Sequence, residues 1–151
     1  MGGVTSPFRG EPPEENGPFD IRPIGHVRSS LLARDGAPRQ ADEGAPSAWL
    51  VIDPPVAPGL DGLAPGSEIV VVTWLHRADR QALSVHPRNE IDRPAVGVFA
   101  TRSPDRPNPI GLHTVRIVEI AGRRIRVAHL EAIDGTPILD IKPVLWPRHT
   151  R

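Results

Sequence analysis

The segment Ile69-Val70-Val71-Val72-Thr73-Trp74-Leu75 is β-branched for most of its length and shows no helical period. Branched side chains are stiff and pack well on a pleated surface, so this apolar run predicts a strand buried on both faces. Downstream, Leu112 to Ile120 and Arg124 to Leu130 flank Ala121-Gly122-Arg123, and Ile125 and Val127 alternate with Arg124 and Arg126. That pattern is a hairpin with one wet face. Shorter strands are expected where Ile21, Ile24 and Val27 recur before Ser29, from Trp49 to Ile52 ahead of Pro54-Pro55, from Val96 to Thr101, and from Pro137 to Lys142 ahead of Pro143. Between Val56 and Gly66 there is room only for a short helical turn.

These short strands, with no strand-helix alternation, predict an all-β fold: a small single-domain β-barrel with long Pro-rich loops and at most short helical turns. The length of 151 residues fits one core. Residues 1–18, rich in Gly, Pro and Glu, are expected to be a disordered leader, residues 19–148 the domain and residues 149–151 a tail. The 19 Pro residues disfavour long helices.

The chain has no Cys, which excludes thiolate nucleophiles, disulfides and Cys-ligated zinc. No apolar run reaches membrane-spanning length and no signal-peptide pattern opens the chain, so a cytoplasmic protein is expected, with no membrane partner. Charge balances at 18 basic against 18 acidic residues, and Lys142 is the only Lys, so any basic patch must be local and built from Arg.

The densest chemical signal runs from Gly97 to His113. Pro104, Pro107 and Pro109 pin the backbone while Arg102, Arg106 and Asn108 supply donors between the fixed points. Such a loop suits recognition of a carboxylate, a phosphate or a base edge. A rigid connection whose Arg residues pair with Asp92 and Asp105 explains it equally well. The second signal is Asp134-Gly135-Thr136-Pro137 leading to Asp140 and Lys142. Asp134-Gly135 makes a turn with exposed backbone donors, and Asp140 and Lys142 share a strand face, either as a salt bridge or as the organiser of a reacting group. His76, His86, His113 and His129 form no metal motif, so no metal is expected. Ser103, His113 and Asp134 could be written as a hydrolase triad, but no Gly-x-Ser-x-Gly elbow supports it.

Those two blocks, with Ile24-Gly25-His26-Val27-Arg28-Ser29 and Pro38-Arg39-Gln40 ahead of them in the same order, resemble the TrmO family, also called TsaA or YaeB-like, over roughly Ile21 to Pro147. The resemblance implies an S-adenosylmethionine-dependent methyltransferase acting on N6 of threonylcarbamoyladenosine beside the anticodon of tRNA. It also implies a homodimer with the cofactor near the interface. Carried over by position, Arg39, Gln40, His76, Arg77, Arg102, Leu112, His113 and Asp134-Gly135-Thr136-Pro137 would surround the cofactor. Arg106, Asn108 and Lys142 would face tRNA. For the proton of the acceptor nitrogen, Asp140, with Lys142 favouring its ionised form, is the candidate base, and an acceptor made acidic by its carbamoyl neighbour would need none. The chain departs from the family at Pro87 to Pro94, at His113, where Ser is usual, and at Val144, where Tyr is usual. A binding module without turnover and a methyltransferase with another acceptor therefore stand beside the main reading.

Overall fold

A computed structural model of the chain describes residues 18–33, 45–86 and 92–145. The leader up to residue 17, the tail, and the loop with Arg39 and Gln40 lie outside the described residues. The described chain is all-β: β1 (Gly25–Arg28), β2 (Ala48–Ile52), β3 (Glu68–Trp74), β4 (Ser84–Val85), β5 (Val96–Gly97), β6 (Ile110–Ala121), β7 (Arg124–Val127) and β8 (Pro137–Pro143). Short 3-10 turns at Pro54–Leu60 and Val98–Ala100 are the helical elements among these residues.

Six strands pair antiparallel in the order β1-β2-β7-β6-β3-β8, and β8 returns to β1, so the sheet closes on itself. The longest ladder joins β3 to β6 through seven residue pairs, Glu68↔Arg116 to Trp74↔Ile110. The shortest is the seam between the first and last strands, Gly25↔Ile138 and His26↔Pro137. Strands β4 and β5 form a separate two-stranded sheet.

Burial follows the period of two. Val27, Leu50, Ile52, Ile69, Val71, Val115, Ile117, Ile125, Val127 and Ile138 point inward and form one core. At about 25 cal/mol per Å² of apolar surface removed from water, this packing is the main force holding the ring. Gly25 is required by the close approach of two strands, because a Cβ there would stand 2.1 Å from the Val51 carbonyl oxygen.

Several expectations are corrected. Strand β3 is not buried on both faces: Val70, Val72 and Trp74 alternate with the buried residues and are only half-buried, because nothing among the described residues fully covers that outer face. The first strand is shorter than the Ile21, Ile24, Val27 pattern suggests, and Ile21 is exposed. The expected strand from Val96 stops at Gly97, since the Val98 carbonyl accepts from the Thr101 amide and hydroxyl and bends the chain into a 3-10 turn. The second hairpin arm ends at Val127, where His129 with φ of 54° breaks the ladder.

Candidate functional site at one end of the closed sheet

The antiparallel register gathers the chemically dense segments at one end of the ring. The exits of β1, β3 and β7 and the entries to β2, β6 and β8 lie there together. This loop end therefore holds residues 29–33, 45–47, 75–80, 101–109 and 128–136.

Side-chain hydrogen bonds tie those loops to one another. Asp134 Oδ1 accepts from the Ser29 amide at 3.0 Å. Asp105 Oδ1 accepts from the Asp79 amide at 2.8 Å. Arg80 Nε donates to the Pro107 carbonyl at 2.7 Å, its Nη2 reaches Asn108 Oδ1 at 3.3 Å, and its guanidinium lies 5.0 Å from the Trp74 ring centroid. Arg77 Nη1 donates to the Leu32 carbonyl at 3.2 Å.

Arg106 has a structural task in this setting. Its Nε donates to the Ser103 carbonyl at 2.9 Å, and its Nη2 donates to the carbonyls of Val98 and Thr101. One planar fork thus holds the whole Pro-rich loop in shape. Arg102, four residues earlier, is exposed. The rigid-connection reading of this loop is correct in kind, although backbone carbonyls take the place of the expected carboxylate partners of Arg106.

The Asp134-Gly135-Thr136 turn does not offer free amides. The amides of Asp134, Gly135 and Thr136 donate to the carbonyls of Leu31, Val27 and Ile133. Thr136 is buried and its hydroxyl donates to Ile133 at 2.7 Å. Gly135 has φ of 82°, the left-handed conformation such a turn demands. Exposed backbone donors were the expectation; the turn instead spends them on docking to the exit of β1.

Leu112 and His113 cannot face one ligand, since adjacent strand residues point to opposite sides. Leu112 is outward and 52 % exposed, whereas His113 is inward and 5 % exposed. His113 Nε2 lies 2.7 Å from Thr73 Oγ1 and Nδ1 lies 2.6 Å from Glu131 Oε1. Nδ1 donates to the carboxylate, and Nε2 shares a hydrogen bond with the Thr73 hydroxyl, which can donate or accept. Sequence reasoning missed both partners, because Thr73 sits within an apolar run and Glu131 in a stretch without a motif. Gly111 belongs to this cluster, for a Cβ there would meet Thr73 Oγ1 at 2.6 Å and His113 Nε2 at 2.8 Å. Glu131 Oε2 is buried and is the one such side-chain atom without a hydrogen-bond partner among the described residues. The paper triad is not assembled: Ser103 Oγ accepts from the Asp105 amide, and Asp134 bonds Ser29.

On the outer face of β3, β6 and β8, Leu112 and Asp140 flank Val72 in one cross-strand row, and Thr114 and Lys142 flank Val70 in the next. Lys142 Nζ is 3.1 Å from Asp140 Oδ2, and Asp140 Oδ1 accepts from the Ile141 amide at 2.9 Å. The salt bridge anticipated for this pair is therefore present. His76 stands at the exit of β3, where partial burial, and then the Arg77 guanidinium, hold its imidazole below its ordinary pKa. Among the described residues no group of His, Asp and Glu could hold a metal ion. No helix among them is long and apolar enough to cross a membrane.

A closed antiparallel sheet with side-chain-stitched loops at one end defines a small all-β domain whose loops are the candidate place for a ligand. The model of the tRNA-methyltransferase O N-terminal domain matches residues 26–147, and the chain belongs to that family. A probable S-adenosyl-L-methionine-binding protein of Methanothermobacter thermautotrophicus is 45% identical over 123 residues, covering 82% of this chain and 88% of the relative. An S-adenosyl-L-methionine-binding protein of Archaeoglobus fulgidus is 40% identical over 122 residues, covering 81% and 86%. Crystal structures of TrmO from Pseudomonas aeruginosa superpose with a TM-score of 0.69 at 32% identity for the first, over 88% of this chain. The chain spans 57% of that TrmO chain.

Proposed function

We propose that this protein is an S-adenosylmethionine-dependent tRNA methyltransferase whose acceptor is N6 of threonylcarbamoyladenosine next to the anticodon. The observation that carries the reading is that, among the described residues, the exit of β1 and the loops 101–109 and 128–136, which belong to the family motifs, meet at one end of the ring. The names of the relatives, which are those of S-adenosylmethionine-binding proteins, support the cofactor.

The groups at the loop end suit such a ligand in kind. Adenine calls for apolar surface, which exposed Leu112 offers. An amine and a sulfonium call for a carboxylate, and Asp134 stands in the turn between β7 and β8. An amino-acid carboxylate calls for a guanidinium, and Arg77 and Arg102 are exposed. Gln40 and Arg39 complete the set by resemblance alone. The cofactor supplies an electrophilic methyl group, so the task of the protein is placement of donor and acceptor in line.

Asp140, with Lys142 stabilising its carboxylate, receives the proton that the acceptor nitrogen sheds. Asn108 and the loop that Arg106 braces present the tRNA side. The closed sheet serves as a β-barrel scaffold, and two copies pair with the cofactor near their interface, in the cytoplasm. The names of the relatives also support a second reading, a module that binds S-adenosylmethionine without turnover.

The test is mass spectrometry of nucleosides from tRNA carrying threonylcarbamoyladenosine, after incubation with the protein and S-adenosylmethionine. A modified nucleoside heavier by one methylene is expected. An unchanged nucleoside, together with cofactor binding by calorimetry, would favour the binding module or a different acceptor.

A further inference from the structure

On the opposite side of the ring from β3, strands β1, β2 and β7 present a second outer face that the reading above does not use. The period of two places His26 and Arg28, Trp49 and Val51, and Arg124 and Arg126 outward. Register aligns them in two rows across the strands, His26–Val51–Arg124 and Arg28–Trp49–Arg126. Neighbouring strands lie about 4.8 Å apart, so each row spans about 10 Å. In the second row Trp49 therefore lies between two guanidiniums, and Arg126 Cζ is 6.0 Å from the Trp49 ring centroid. His26, Arg28, Trp49, Val51 and Arg124 line a depression of about 370 Å³.

The charge of this face differs from that of the molecule. The chain as a whole balances 18 basic against 18 acidic residues. Here three Arg and one His meet one bonded carboxylate, Glu119, whose Oε2 lies 3.1 Å from Arg126 Nε. Arg28 and Arg124 have no carboxylate partner among the described residues. An indole beside one ion-paired guanidinium, Arg126, and near two without a carboxylate partner, Arg28 and Arg124, combines the two elements used to hold single-stranded nucleic acid: an aromatic platform for a base and cations for the flanking phosphates.

We infer that the outer face of β1, β2 and β7 docks a single-stranded segment of RNA. A base stacks on Trp49, while Arg28, Arg124 and Arg126 bind the phosphates on either side. The inference rests on the proposed tRNA substrate for the identity of that RNA. The Trp49 row is the one nearer the loop end, so a strand held there runs over that end toward the proposed cofactor site. Such a contact positions the substrate and takes no part in the chemistry.

The experiment is a titration of the full chain with a dye-labelled single-stranded oligouridylate, followed by anisotropy across a salt series. S-adenosylmethionine affinity is measured by calorimetry on every variant as a check of folding. Arg28→Gln combined with Arg124→Gln is expected to weaken binding roughly tenfold or more at low salt and to lower the salt slope by about one to two. Trp49→Leu is expected to weaken binding by roughly tenfold with an unchanged slope. The control pair Arg22→Gln with Arg116→Gln, exposed elsewhere, is expected to change little. No binding by the parent protein, full affinity in the Arg28 and Arg124 variant, or an equal loss in the control pair overturns the inference. If the parent binds as described and tRNA is never methylated, this surface stands and the methyltransferase reading falls.

Discussion

The two ends of the closed sheet differ in how many side chains help to fasten them: backbone bonds serve both, with the Arg123 guanidinium on the Ile52 carbonyl added at the turn end and several side-chain ties added at the loop end. At the turn end, residues near in sequence or in adjacent strands close the structure through the backbone: the Gly66 amide donates to Ile117, that of Ile117 to Ser67, and that of Val144 to Glu68. Gly122, with φ of 61°, makes the tight turn between β6 and β7. At the loop end, side chains reach across large gaps in sequence, as Asp134 does to Ser29 and Asp105 to Asp79. Backbone closure fixes a shape whatever the side chains, whereas side-chain ties hold only while particular residues remain. The loop end, with more side-chain ties, is thus the end whose geometry is more sensitive to single substitutions.

Four substitutions test that contrast. His113→Ala should have the largest effect, about 4 kcal/mol, because it leaves a cavity and strands the Thr73 hydroxyl and the Glu131 carboxylate in the interior. Urea denaturation measures it, and a loss under about 1 kcal/mol would show that the buried cluster is not a fastening of the loop end. Gly25→Ala probes the turn end through packing alone. Its Cβ would collide with the Val51 backbone, which cannot rotate away, and about 3 kcal/mol of destabilisation is expected without a specific effect on ligand affinity.

Arg106→Ala should cost about 1 to 2 kcal/mol of global stability while loosening the Pro-rich loop far more. Amide exchange at Thr101, Ser103 and Asp105 should quicken, and Arg106→Lys should restore little, since an ammonium cannot reproduce the planar fork. Intact protection in Arg106→Ala would mean that the prolines alone hold the loop.

The smallest effect concerns His76. Its pKa is lowered on folding, so between the folded value and the unfolded value of 6.5 the unfolded chain binds more protons. Stability from this group is complete above about pH 6.5 and declines as pH falls through that window. His76→Gln should flatten this shallow slope in thermal melts, and an unchanged slope would assign it to other groups.

Much of the ring was legible in the sequence because β-branched runs and alternation report strands directly. Strands β6 and β8 came out close to their observed limits for that reason, while β7 stops three residues short of the expected Leu130. Strand β4 was not legible, since two residues carry no period. Val96 to Thr101 misled because its apolar pattern says nothing of Thr101 and Arg106 claiming the Val98 carbonyl. At the site, the segments were found by motif, and Asp140 with Lys142 by the period of two. The inward turn of His113 and its bond to Glu131 were not found: adjacent motif letters read as one surface until the strand alternation separates them.

The seam between β1 and β8 has an energetic consequence. Two ladder pairs and the amide bonds of Ile24 to Ile138, Val27 to Thr136 and Gly135 to Val27 join the first strand to the last, and the closure brings together parts of the chain more than a hundred residues apart, as Ser29 and Asp134 are. Contacts of that sequence separation carry a high loop-closure cost. Closing the ring there carries the largest loop-closure cost in the sheet, and opening the seam would unfasten the Asp134 turn. A ligand bound at the loop end would act as a clasp on the seam and lend its binding free energy to the chain as a whole.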